Sequence, residues 1–279
     1  MKKHLSTIFL VLILVLGMAI LLYPTVSDYW NSFHQSRAIA SYIEQIESVD
    51  PAVYEREWAK ARAYNEALRL KPNRFMLSET EYAEYKSLLN MTGEGIMGYI
   101  EIPKIGCSLP IYHGTDEEVL QIAVGHVEGT SLPTGNPGTH AVLSGHRGLP
   151  SAKLFTDLDQ LEEGDEFVIR VMNEVMTYKV DQILIVLPEE MDALAIDPEQ
   201  DYCTLVTCTP YGINSHRMLV RGRRGENAEM ERIIKVVSDA TQIEPVLVAP
   251  VLAVPMLLVL LVWMMVSTGR KQRRNNIRR

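Results

Sequence analysis

Hydrophobic residues form a long run near each end of the chain. Leu5 to Tyr23 contains only two polar residues, both near its start, and as a helix it would span about 28 Å, close to the thickness of a bilayer core. Val246 to Val266 contains no charged residue, although Pro250 and Pro255 interrupt it. Both runs therefore predict transmembrane helices.

Between these runs the pattern changes from helical to strand-like. Apolar spacings of three and four predict helices near Ala38–Ile46, Ala52–Leu70 and Glu79–Leu89, the last with Ser78 and Glu81 as a capping box. Farther along, short segments rich in β-branched and aromatic residues are separated by clusters of Gly, Pro and Asp. These segments are Gly98–Ile102, Leu109–Tyr112, Thr139–Ser144, Glu166–Met172, Met176–Leu187, Tyr202–Cys208 and Met218–Arg221. Many short strands predict a mainly β fold, either a closed barrel or a sandwich.

The charged residues indicate how the chain crosses a membrane. Lys2 and Lys3 precede the first run and six basic residues follow the second, so both termini are expected in the cytoplasm. All 35 acidic residues lie between Asp28 and Glu244, with 19 of the 27 basic residues, so this outer part carries a net charge of −16. Such a surface argues against nucleic acid as a partner. A cleaved signal peptide is the alternative for the first run, although residues 22–27 offer no good cleavage site.

A cysteine and an arginine are predicted to meet on a hairpin. Thr204–Cys208 and Met218–Val220 predict two strands, joined by a loop rich in turn formers. If Cys208 pairs with Arg217 in an antiparallel ladder, both side chains lie on one face, with Cβ atoms about 4.5–5.5 Å apart. A thiol beside a fixed cation is a candidate nucleophile with an oxyanion partner.

His146 is the candidate for proton transfer. It ends an apolar strand in a glycine-flanked turn, and the ordinary pKa of histidine suits acid–base catalysis near neutrality. Cysteine, histidine and arginine together fit acyl transfer. His126 is the alternative for this histidine. Arg221 shares a face with Arg217 but lies about 13 Å farther along the strand, so a structural role is expected for it.

The remaining cysteines and histidines give no metal-site pattern. The sequence contains no Cys-x-x-Cys and no His-Glu-x-x-His, so we expect neither a metal nor another cofactor. Cys107 and Cys203 are interpreted as core residues.

The sequence blocks around these candidates resemble the class C, pilus-polymerising sortases. The blocks are Leu109–Thr115, Gly129–Pro133, Ser144–Pro150 and Cys208–Asn214, within a resemblance that covers Ile96 to Arg224. The resemblance implies an eight-stranded β-barrel and a cysteine transpeptidase that cleaves a Leu-Pro-x-Thr-Gly-like sorting signal. Its substrates would be pilins or other surface proteins, and the acceptor a lysine amine of a second pilin. It implies Cys208 as nucleophile, His146 as acid and base, and Arg217 as oxyanion partner, with the neighbourhood of Thr207 shaping the substrate cleft. His216 adjoins Arg217 in the loop that faces the cleft, so it is a further candidate for the cleft.

Class C sortases usually carry a lid with an Asp-Pro-aromatic triplet, which this chain lacks. The corresponding segment reads Lys71-Pro72-Asn73-Arg74-Phe75. Arg74 or Phe75 could still plug the cleft, and an ordinary surface linker is the alternative. We expect a weakened or differently anchored lid near residues 69–80.

The expected order of domains follows from these patterns. It is an N-terminal membrane anchor (1–27), an extracellular helical segment (28–92), a sortase barrel (93–225), a linker (226–245), a transmembrane helix (246–266) and a basic cytoplasmic tail (267–279). This order predicts a multi-pass cell-membrane protein with an extracellular catalytic domain. Two other functions remain open: a housekeeping-type sortase that attaches proteins to cell-wall peptidoglycan, and a non-catalytic surface scaffold.

Overall fold

The computed structural model describes residues 5–226, in which three helices precede a β-barrel and a short fourth helix lies between its second and third strands. The helices are α1 (Leu5–Glu47), α2 (Pro51–Arg69), α3 (Glu79–Ser87) and the short α4 (Glu117–Leu120). The strands are β1 (Ile96–Ile102), β2 (Cys107–His113), β3 (Val124–His126), β4 (Thr139–Ser144), β5 (Glu166–Val171), β6 (Glu174–Val186), β7 (Asp201–Thr209) and β8 (His216–Arg224). Short 3-10 helices lie at Pro103–Ile105, Leu158–Gln160 and Asp192–Leu194.

The eight strands close into one barrel, which confirms the predicted mainly β architecture. The strand order around the barrel is β1-β2-β3-β4-β7-β8-β6-β5. The β2–β3 and β4–β7 pairs are parallel, and the other six pairs are antiparallel. Strand β3 was not predicted because three residues are too few to show an alternating pattern.

Alternation along each strand produces two apolar layers. The inward side chains form the main core, with Ile100, Ile111, Phe167, Leu205 and Val220 fully buried. A second, smaller group lies on the outer face of the barrel. This outer apolar cluster consists of Val142, Leu194 and Leu219, with Val127, Leu184, Val186, Ala193 and Val206 packed against them.

Polar side chains of the first two helices attach them to the barrel. The Tyr42 hydroxyl donates to the carbonyl of Met97 (3.0 Å) and accepts from the amide of Met172 (2.8 Å). Asn65 of α2 bonds both the carbonyl and the amide of Leu132, at 2.9 and 2.8 Å. These bonds satisfy backbone groups that the barrel leaves unpaired, and they fix the helices in position.

Helix α3 begins as the sequence predicts. Ser78 and Glu81 form a capping box in which each side chain accepts from the other residue's backbone amide. Farther along α3, the hydroxyl of the fully buried Tyr85 accepts from the amide of Gly114 (3.0 Å). The helix is thereby tied to the chain between β2 and α4.

Helix α1 holds the predicted first membrane segment. Among the described residues one helix, assigned as Phe9–Glu47, has the length and composition needed to cross a membrane. α1 continues through Pro24. Its residues up to Tyr29 belong to one compact unit, and those from Trp30 onward belong to the unit that contains the barrel. The predicted second transmembrane helix (246–266), the basic tail and the linker beyond Glu226 lie outside the described residues.

A buried carboxylate occupies the start of β7. Asp201 is 5% exposed and accepts hydrogen bonds from the hydroxyls of Thr139 (2.9 Å) and Tyr178 (3.2 Å). The guanidinium Nε of Arg224 lies 3.7 Å from its other oxygen. Burial raises the pKa of Asp201 from 3.8 to about 6, because desolvation outweighs these favourable contacts.

We expect Asp201→Asn to remove a pH dependence of stability. The folded-state pKa lies above the unfolded one, so the stabilising contribution is complete below pH 3.8 and is lost as the pH rises through 6. Over this pH range we expect the wild type to lose about 3 kcal/mol of its free energy of unfolding through this group. Urea unfolding of the detergent-solubilised protein between pH 3.5 and 7.5 measures it. Equal pH slopes in wild type and variant would contradict the prediction.

Candidate active site

Cys208 and Arg217 are direct partners on neighbouring strands. Strands β7 and β8 pair Cys208 with Arg217, Val206 with Leu219 and Thr204 with Arg221, which confirms the register predicted from the sequence. Leu205 on β7 is fully buried in the core, so the alternate residues Val206 and Cys208 face outward. The side chains of Cys208 and Arg217 therefore start from the same outer face of the barrel.

The end of β4 brings His146 to the other side of Cys208. β4 runs parallel to β7, with Ser144 level with Val206, and the amide of Gly145 donates to the Val206 carbonyl at 3.0 Å. The ladder ends at Ser144, and His146 follows two residues later, past the end of the strand that adjoins β7. The three candidate residues thus come from three adjacent strand ends.

Thr207 joins these strands from the inside of the barrel. Because it alternates with Cys208, its side chain faces inward and is only 2% exposed, so it does not line the cleft directly. Its hydroxyl donates to the carbonyl of Gly145 at 2.8 Å. This bond connects the residue before Cys208 with the residue before His146.

The loop after His146 is held by close packing. The amide of Phe155 donates to the His146 carbonyl (3.1 Å), and an added Cβ at Gly145 would lie 2.7 Å from the Phe155 ring. At Gly148 a Cβ would lie 2.9 Å from the ring of Tyr211, in the β7–β8 loop. No sequence pattern predicts this contact, because the two residues lie on different loops.

The imidazole of His146 is partly buried. Among the residues that the structure describes, its Nε2 is buried and has no hydrogen-bond partner.

Arg217 is oriented by its own loop. One guanidinium nitrogen donates to the carbonyls of Asn214 (3.2 Å) and His216 (3.1 Å). The ring of His216 lies 2.9 Å from the hydroxyl of Ser215. Arg221, the alternative arginine, makes two 3.0 Å bonds to Asp181 and stacks over Tyr202, as expected for a structural residue.

An apolar surface leads to the thiol. The Val206–Leu219 pair is the next outward-facing pair along the ladder from Cys208–Arg217, and both residues belong to the outer apolar cluster. The 3-10 helix Asp192–Leu194, in the connection between β6 and β7, covers this cluster through Ala193 and Leu194. Val206 is only partly buried, so the edge of this cluster next to Cys208 stays partly exposed.

Two other histidines occupy structural positions. His126, the alternative to His146, is fully buried, with its ring nitrogens 2.9 Å from the Tyr85 hydroxyl and from the Ser131 carbonyl. Burial lowers its pKa to about 4, and burial lowers that of His140 to about 4 as well. Both rings are thus neutral near pH 7, which suits hydrogen bonding within the fold better than acid catalysis.

The two residues expected in a lid lie in the linker between α2 and α3. Arg74 donates to the carbonyls of Gly129 (3.0 Å) and Leu194 (2.7 Å). Its guanidinium carbon lies 4.4 Å from the centre of the Phe75 ring, which is 38% exposed. The linker therefore contacts the covering helix of the outer apolar cluster.

All three cysteines are free thiols in the structure. Cys203 is fully buried, and burial raises the pKa of Cys107 to about 12, so neither thiol is suited to nucleophilic attack. Within residues 5–226, no group of three or more His, Cys, Asp or Glu side chains could hold a metal ion.

Comparison with known proteins gives a consistent set of relatives. Residues 100–225 match the family described as the sortase domain. The chain is 30% identical over 150 residues to sortase D of Bacillus subtilis, covering 53% of this chain and 73% of the relative. Among solved structures, sortase C1 of Streptococcus agalactiae is 47% identical with a TM-score of 0.66, covering 68% of this chain and 99% of that one. Sortase C of Streptococcus pneumoniae is 42% identical with a TM-score of 0.62, covering 68% and 97%.

We expect Thr207→Val to lower the free energy of unfolding by about 1–3 kcal/mol. The valine keeps the shape of the side chain but leaves the Gly145 carbonyl without its donor. Thr207→Ser retains the hydroxyl and serves as the matched control, with a smaller loss from the missing methyl group. Urea unfolding followed by tryptophan fluorescence measures both variants. A valine variant as stable as wild type would show that this bond does not hold the two strand ends together.

Proposed function

This chain belongs to the sortase family of cysteine transpeptidases, and we propose that it is a class C enzyme that joins pilins outside the cell. The observation that carries the proposal is the meeting of Cys208, Arg217 and the end of β4 on one outer face. The similarity to solved class C sortases at 42–47% identity supports the pilus role. The partly exposed edge of the outer apolar cluster, which includes Val206, is the proposed contact surface for the Leu-Pro part of a sorting signal.

In the proposed first step, the sorting signal is cleaved. The thiolate of Cys208 attacks the carbonyl carbon of the threonine in a Leu-Pro-x-Thr-Gly-like signal, and Arg217 stabilises the oxyanion that forms. The Thr–Gly peptide bond breaks as His146 donates a proton to the leaving glycine amine. A thioester between Cys208 and the threonine carbonyl remains.

In the second step the acceptor amine replaces the sulfur. His146, now neutral, takes a proton from the incoming lysine amine of a second pilin as this nitrogen attacks the thioester. The C–S bond breaks, the thiolate of Cys208 is restored and an isopeptide bond links the two pilins. Neither a metal nor another cofactor takes part in these steps.

Membrane attachment would concentrate the reactants. The apolar helix α1 supports an N-terminal anchor, and the sequence places a second hydrophobic run at residues 246–266. With both termini in the cytoplasm, the barrel would face the outside of the cell membrane. Confining enzyme and pilin to one surface raises their effective concentration.

The first test of this function is a covalent adduct. We expect mass spectrometry of the detergent-solubilised enzyme, incubated with a Leu-Pro-x-Thr-Gly peptide, to find the peptide on Cys208 as a thioester. Cys208→Ala should give no adduct, whereas Cys107→Ala should still give one, because desolvation raises the pKa of that thiol to about 12 and leaves it a poor nucleophile. Adding a pilin fragment that carries a lysine should release an isopeptide product. Transfer only to a peptidoglycan amine would favour the housekeeping-type sortase, and absence of any adduct would favour a scaffold.

Exchanging arginine for lysine separates the two candidate arginines. We expect Arg217→Lys to lower kcat/KM by about 10²–10³-fold, because an ammonium cannot reproduce the planar guanidinium beside the thiol. Arg221→Lys is the matched control on the same face of β8 and should keep activity within about threefold, since its partner is Asp181. Equal losses in both variants would assign the oxyanion role to neither residue.

A further inference from the structure

Arg74 connects the linker between α2 and α3 to two separate loops of the barrel. Its guanidinium donates to the carbonyl of Gly129, which follows β3, and to the carbonyl of Leu194, in the β6–β7 connection. The side chain is partly buried, and the Phe75 ring lies 4.4 Å from the guanidinium carbon. One side chain thus spans a junction of three chain segments.

The linker backbone lies directly on Gly129. A Cβ added there would lie 2.3 Å from the carbonyl oxygen of Arg74 and 2.8 Å from the Cα of Phe75, and Gly129 has a φ of +78°. Only glycine allows this approach without displacing the linker. The position of Arg74 is therefore set by backbone packing as well as by its own hydrogen bonds.

The second contact fixes the covering helix of the outer apolar cluster. The Leu194 side chain is 5% exposed and packs in that cluster with Val142 and Leu219. The next carbonyl, that of Ala195, bonds to Nδ1 of His140 at 2.8 Å, and Nε2 of His140 lies 2.7 Å from the Thr204 hydroxyl. Two consecutive carbonyls of the β6–β7 connection are thus held, one by Arg74 and one by a strand of the barrel.

We propose that Arg74 is a positioning residue that holds the β6–β7 connection over the outer apolar cluster and so sets the affinity for the sorting signal. The proposal rests on the proposed sortase function. Without Arg74 the β6–β7 connection populates more conformations. The affinity for the sorting signal then falls in proportion to the fraction of molecules that keep the binding-competent conformation. Since Arg74 bonds the covering segment and not the reacting groups, kcat and the reactivity of Cys208 stay close to those of wild type.

The experiment compares Arg74→Ala and Arg74→Lys with Arg56→Ala in the full-length enzyme in detergent. Arg56 is an exposed arginine of α2, so its removal controls for the lost charge. We expect a fivefold to tenfold higher KM for a sorting-signal peptide in both Arg74 variants, because lysine cannot span two carbonyls as a guanidinium does. We also expect kcat and the rate of Cys208 alkylation by iodoacetamide to stay within twofold of wild type.

Hydrogen exchange gives a readout that does not depend on catalysis. Amides of residues 187–200 should exchange faster in Arg74→Ala than in Arg56→Ala, with exchange in β7 unchanged. Gly129→Ala approaches the same contact from the barrel side and should reproduce both the higher KM and the faster exchange. If wild type turned over no peptide, the proposed function would fail, while the exchange data would still decide whether Arg74 holds this connection.

Two results would overturn the proposal. An acceleration of Cys208 alkylation by tenfold or more in Arg74→Ala, with unchanged exchange in residues 187–200, would show that the linker shields the thiol. Unchanged KM and unchanged exchange in both Arg74→Ala and Gly129→Ala would make the segment an ordinary surface linker.

Discussion

The register of β7 between β4 and β8 is the constraint on which the site depends. Because side chains alternate along a strand, a slip of one residue would turn Cys208 into the core and Thr207 outward. The packing inside the barrel opposes such a slip. Opposite Cys203 on β7 lies Gly222 of β8, where an added Cβ would be 2.6 Å from the Phe167 ring. A shifted strand would force the side chain of Arg221 or Arg223 into this filled apolar space, with a large penalty for burying its charge.

This constraint explains why half of the site could be predicted from sequence. Cys208 and Arg217 lie on one hairpin, and the alternating residues of its two strands define the register without any other part of the chain. The start of α3 was predictable for the same reason, since the Ser78–Glu81 capping box is local. The pairing of β4 with β7 joins segments about 60 residues apart, so no local pattern placed His146 beside Cys208. Only its glycine-flanked strand end and the family resemblance indicated it.

The histidines show what sequence cannot supply. His126, His140 and His146 all lie in or next to short apolar strands, so their sequence surroundings look alike. Burial separates them, because it lowers the pKa of His126 and His140 to about 4 and each of these rings bonds to groups of the fold. The contacts of Arg74 are equally non-local. They depend on where the β6–β7 connection crosses the linker, and that crossing exists only in the folded barrel.

The helices before the barrel give the linker its fixed position. Asn65 binds α2 to Leu132, and Tyr85 binds α3 to Gly114, so both ends of the nine residues from Leu70 to Ser78 are anchored. Lys71 and Glu81 add an ion pair of 2.6 Å across the linker. Because its ends are already fixed, the linker loses little further conformational entropy when the Arg74 side chain is ordered. The hydrogen bond from Arg74 to Leu194 therefore forms with a small entropy penalty. The predicted boundary between residues 92 and 93 therefore does not separate independent parts. From Trp30 onward, the helical segment and the barrel belong to one compact unit, and the linker of the helical segment contacts the β6–β7 connection of the barrel.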